Sequence, residues 1–71
     1  MNEILISSIS KMVGDEKPAS ILDINKLKEL AHLNDDSLQN ELDILEKNGY
    51  LVVKYANNKI KRIIINASFP N

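Results

Sequence analysis

The spacing of apolar residues changes once along this chain, at Asn48-Gly49, and that change constrains the fold more than any other feature. Before it, apolar residues recur at helical spacing. Leu38, Leu42 and Leu45 stand at i, i+4 and i+7, and Ile24, Leu27, Leu30 and Ala31 follow the same 3.6-residue period. Ile4, Leu5, Ile9, Met12 and Val13 fit one face of an earlier helix. After Gly49 the segments 50–55 and 60–65 are rich in β-branched and aromatic residues, which suit strands. The chain therefore reads as α+β, with helices first and a hairpin last.

Local signals divide it further. Asn2, Asp23 and Asn34 can each cap a helix, giving helices over about 3–13, 24–32 and 35–47. Gly14 ends the first, and Gly49 suits the left-handed position after the third. Lys17 precedes Pro18 and is pushed out of helical conformation. Ser20-Ile21-Leu22 is a minimal strand. Asn57-Asn58 reads as a hairpin tip, since Asn tolerates positive φ. In the tail, 66–71, Phe69 is expected to pin the chain to the body. Alternation puts Lys59, Lys61 and Ile63 on one strand face and Ile60, Arg62 and Ile64 on the other.

Charge is divided as sharply as periodicity. Residues 1–50 hold five bases against ten acids, a charge of −5, whereas residues 51–71 hold four bases and no acid, a charge of +4. The net charge of −1 conceals this. An acidic helical body followed by a basic hairpin points to a charged contact surface.

Composition narrows the chemistry. The chain has 71 residues, enough for one small domain with a modest core, so a homodimer is expected. Without cysteine there is no thiol nucleophile and no thiolate metal site. A single histidine, His32, builds no histidine cluster, and no nucleophile and base stand in a recognisable arrangement. His32 reads as filler or as a cap at the end of the second helix. The expectation is a protein that is not an enzyme and has no cofactor. No apolar run approaches the ~20 residues that span a bilayer. Met1-Asn2-Glu3 opens without the basic stretch of a signal peptide, so a cytoplasmic location is expected.

Only a few residues separate the second and third helices, so the two must cross steeply, as in a helix-turn-helix. From Leu27 to Gly49 the chain resembles the winged helix-turn-helix superfamily. Apolar positions hold the second helix and a small polar cap opens the third. Leu42, Leu45 and Gly49 then match the Leu-x-x-Leu-x-x-x-Gly that closes the recognition helix before the wing. The resemblance covers roughly residues 20–66. It implies a three-helix core with a C-terminal β-hairpin wing, in the order helix, strand, helix, helix, strand, strand. The whole chain, 1–71, is then one winged helix domain with its helix-turn-helix at about 24–48 and its wing at about 50–65.

In that family's usual mode the third helix enters the major groove. Its exposed positions here are Asp35, Asp36, Ser37, Gln39, Asn40, Glu41 and Asp43. Gln39 and Asn40 can bond adenine bidentately, and Ser37 can bond a base or phosphate, but the four acids repel phosphate. Lys47, at the far end, can reach a backbone phosphate. The wing is the stronger candidate. Lys54, Lys59, Lys61 and Arg62 cluster on it with Asn57 and Asn58 at its tip, and such a hairpin can follow the backbone into a minor groove. The function expected is double-stranded DNA binding, mainly through the wing, by a transcriptional regulator or a plasmid or phage accessory factor. The alternative is a protein–protein interaction module that uses the acidic third helix, because the fold serves both roles.

Overall fold

Three side chains start the three helices. Asn2 Oδ1 accepts the Leu5 N–H at 3.0 Å, Asp23 Oδ1 accepts the Lys26 N–H at 3.0 Å, and Asn34 Oδ1 accepts the Ser37 N–H at 2.8 Å. Each satisfies a donor that a helix leaves unpaired in its first turn. They open α1 (Glu3–Val13), α2 (Ile24–Ala31) and α3 (Asp35–Lys47) in a computed structural model that describes residues 2–70. Residues 1 and 71, the ends of the expected domain and tail, lie outside the described residues.

The caps have measurable consequences. Asn34→Ala is expected to destabilise the fold by about 1 kcal/mol. That lowers the melting temperature by about 4–8 °C, read by circular dichroism. Asn40→Ala, at an exposed position inside the same helix, is the control and leaves it unchanged or slightly higher.

The helices end as the backbone requires. Gly49 takes φ 79° after α3, and the Tyr50 N–H returns to the Leu45 carbonyl at 3.1 Å. α2 ends at Ala31, the last residue of its apolar pattern and one residue short of the expected range 24–32. His32 is not its last helical residue but its left-handed cap, at φ 56°, and the Leu33 N–H bonds the Lys28 carbonyl at 3.1 Å. The left-handed cap and this bond fold the turn between α2 and α3 into very few residues.

Strands β1 (Ala19–Ile21), β2 (Leu51–Ala56) and β3 (Lys59–Ile65) form an antiparallel sheet in the order β1-β3-β2. Rows Ala19–Ile65–Leu51 and Ile21–Ile63–Val53 face the helices, and the row Ser20–Ile64–Val52 faces away. The three consecutive isoleucines thus serve both faces: Ile63 and Ile65 are fully buried, and Ile64 is half-buried. Against the inner face pack Leu5 and Ile9 of α1, Leu27 and Ala31 of α2, and Leu38, Leu42 and Leu45 of α3. Phe69 joins this same core and meets the Tyr50 ring edge-on at 6.4 Å, so the tail closes the core rather than the outer sheet face. The Asn66 and Ser68 side chains both donate to the Gly49 carbonyl at 2.9 Å and hold the tail there.

Three expectations are corrected. Leu22 lies outside β1 and is exposed, because pairing with β3 stops at Ile21 and Asp23 immediately caps α2. On α1, Ile4 is exposed while Ile6 packs against the core, because the buried stripe runs through Leu5 and Ile9. On β3 the simple alternation fails. Lys54 pairs with Arg62 and Tyr55 with Ile60, so Lys61 is an extra residue in a β-bulge. Ile60 therefore packs against the core with Ile63, and Lys61 is left at the surface. No helix among the described residues is long and apolar enough to cross a membrane.

Candidate nucleic-acid interface

The hairpin joining β2 and β3 turns on Asn57 and Asn58, at φ 53° and 64°. Two successive left-handed residues make the turn whose twist matches that of the flanking strands. Around this tip Lys54, Lys59, Lys61 and Arg62 are all exposed. Lys54 and Arg62 are direct cross-strand partners on the outer sheet face. Like charges placed opposite each other disfavour pairing. Among the described residues neither forms an ion pair, and the same holds for Lys61. The sequence tolerates this repulsion without supplying an acid to relieve it.

Lys59 and Lys61 belong to a second surface. They border an open groove of about 800 Å³ that separates the hairpin from the starts of α2 and α3. Leu22 and Lys28 line its α2 side, and Asp35 and Asn40 its α3 side. Across the tight turn Lys28 Nζ meets Asp35 Oδ1 at 2.6 Å. The hydrogen bond from Lys28 and its charge, with Lys59 adding to them, hold the Asp35 carboxyl below the ordinary aspartate value of 3.8, against a small opposing effect of burial. The stability from this pair is complete above that ordinary value and is lost as pH falls through the lower folded one. The Asp35 side chain is 85% exposed, so solvent keeps the contribution small.

The third helix is less available to a base than its sequence suggests. Gln39 is half-buried, and its Nε2 donates to the Tyr55 hydroxyl on β2. Ser37 is half-buried, and its N–H is taken by the Asn34 cap. Asn40 is exposed on the groove wall, and Lys47 is exposed in the last turn of α3. So Asn58, Lys59, Lys61, Gln39 and Asn40 come together around one groove. Lys54 and Arg62 lie on the outer sheet face, Lys47 is at the far end of α3, and Asn57 is at the tip.

Three contacts escaped sequence reasoning. Lys28 and Asp35 are joined only by the tight turn. Tyr55, on the same face of β2 as Leu51 and Val53, reaches Gln39 on α3, sixteen residues away in sequence. Glu46 accepts the Val53 N–H at 3.0 Å, which ties the edge strand β2 to α3.

No family model, curated protein or solved structure matches this chain.

Proposed function

We propose that this chain is a small winged helix-turn-helix protein that binds double-stranded DNA mainly through its hairpin, the wing. The observation that carries the reading is the Lys54–Arg62 cross-strand pair, flanked by Lys59 and Lys61 on a strand with no acid. Cations held this way lose stability to their own repulsion and regain it against phosphate. The element order and the few-residue turn between α2 and α3 support the winged helix assignment. In this mode the wing follows the sugar-phosphate backbone, and α3 contributes limited base reading through Gln39 and Asn40. A homodimer would present two wings and suit a two-fold site. Gene regulation, or an accessory role on a plasmid or phage genome inside the cytoplasm, fits such a protein.

The deciding experiment titrates the protein against duplex DNA at several salt concentrations. Binding insensitive to salt rejects the proposal.

A second reading is favoured by one observation: Asp36 is exposed beside Asp35 in the first turn of α3, an acidic surface that a basic protein partner could meet. Substitution at the acids separates the readings. If phosphate is the ligand, Asp35→Asn with Asp36→Asn removes repulsion and releases Lys28. Duplex affinity then rises by roughly threefold at 0.1 M salt. If a basic protein surface is the ligand, the same change weakens its capture.

A further inference from the structure

Asn48-Gly49, where the helical spacing ends, is the one place in the sequence where an asparagine precedes a glycine. That pair carries a reactivity of its own. The backbone nitrogen of the glycine attacks the side-chain amide carbon of the asparagine, and the new C–N bond closes a succinimide ring. Ammonia leaves with the original side-chain nitrogen. Water then opens the ring at either carbonyl, giving aspartate or isoaspartate. Glycine favours the first step, because without a Cβ its nitrogen approaches most freely.

The fold holds the reacting groups apart. Asn48 is exposed, so water reaches it, and hydrogen bonds rather than burial restrain it. It caps α3 at ψ −1°. Ring closure needs that angle rotated until the Gly49 nitrogen lies on the Cβ side of Asn48. Asn48 Nδ2 donates to the Ile44 carbonyl at 2.8 Å, and the Gly49 N–H donates to the Glu46 carbonyl at 3.0 Å. The Tyr50 N–H is tied to the Leu45 carbonyl at 3.1 Å. Beyond them the Gly49 carbonyl accepts from the Asn66 and Ser68 side chains at 2.9 Å. Those last two donors belong to the tail and take no part in the chemistry. They clamp the backbone that would have to swing.

We propose that Asn48 is a self-modification site that the tail keeps closed through Asn66 and Ser68. This is independent of the duplex-DNA reading. The product removes its own restraint. Isoaspartate adds a methylene to the backbone between α3 and β2, which displaces the Gly49 carbonyl from Asn66 and Ser68 and loosens Phe69 from the core.

The test incubates the full chain at mildly alkaline pH, folded and in concentrated guanidinium. Peptide mass spectrometry follows the amide-to-acid mass gain at Asn48. The folded wild type is expected to convert about tenfold more slowly than the denatured chain, or slower still. Asn66→Ala with Ser68→Ala is expected to speed conversion of the folded protein roughly fivefold, and Ser68→Ala alone, should the pair fail to fold, roughly twofold. Asn34→Ala weakens the far end of α3 without touching this turn, and its rate should stay within about twofold of the wild type. Equal rates in the folded and denatured wild type overturn the proposal, because the fold would not guard the site. Unchanged rates in the tail variants overturn it too. So does equal acceleration by Asn34→Ala, since unfolding of the whole domain would then be the route. Converted protein, separated by ion exchange, should melt at a lower temperature than unconverted protein, and equal melting overturns the loosening of the tail.

Discussion

Replacing Lys59, Lys61 and Arg62 with alanine is expected to remove most of the salt dependence of duplex binding. A cation that displaces a counterion from DNA contributes about 0.9 to the slope of log affinity against log salt. With four cations the hairpin of one chain supplies a slope near −3.6, and a dimer near −7. Between 50 and 200 mM salt the hairpin of one chain then costs roughly 150-fold in affinity. The triple variant keeps only Lys54, so its hairpin slope falls to about −0.9 and the same change of salt costs it about threefold. The fold should survive, because all three side chains are exposed and none forms an ion pair among the described residues. Removing Arg62 also relieves its repulsion with Lys54. Fluorescence anisotropy with a labelled duplex, run below the melting temperature of both proteins, reads the slopes. Equal slopes would place the phosphate contacts elsewhere and reject the wing as the binding surface.

The acid-free hairpin could be recognised from the residues alone because charge is a property of composition. The three helix starts were equally legible. Asn2, Asp23 and Asn34 each act on a neighbour three residues on, so their chemistry is contained in a short window. The same holds for Leu38, Leu42 and Leu45, whose spacing repeats the helical turn. What was not legible depends on register and on contacts distant in sequence. The bulge at Lys61 shifts pairing by one residue, and periodicity carries no mark of where such a shift falls. From that shift follows the burial of Ile60 beside Ile63. The four acids expected to be exposed on α3 also read differently once folded, since Glu41 and Asp43 are half-buried. Asp35 is held by Lys28, an interaction set by the sharp turn that the left-handed His32 makes possible. The face of α1 was ambiguous for a local reason. Apolar residues occupy positions 4, 5 and 6 in succession, so the sequence does not mark which of Ile4 and Ile6 flanks the buried stripe.

Leu42→Ala is expected to bring the domain close to unfolding at physiological temperature. Leu42 is fully buried in the middle of α3, where the helix meets the sheet and the other core leucines. Truncating a buried leucine costs about 2–5 kcal/mol, from lost transfer energy and from the cavity left behind. A chain of this length has a total stability of only about 4–10 kcal/mol. The substitution therefore removes a large part of the whole, and at about 4–8 °C per kcal/mol the melting temperature falls by roughly 10–40 °C. Ile44→Ala, two residues further along the same helix, is the control. Ile44 is 42% exposed, so its loss should shift the melting temperature by only a few degrees. Thermal unfolding followed by circular dichroism distinguishes the two. Comparable shifts would mean that the face of α3 packed on the sheet is not the one carrying Leu38, Leu42 and Leu45. The surface offered by Gln39 and Asn40 would then turn with it, so the orientation of the candidate interface depends on this result.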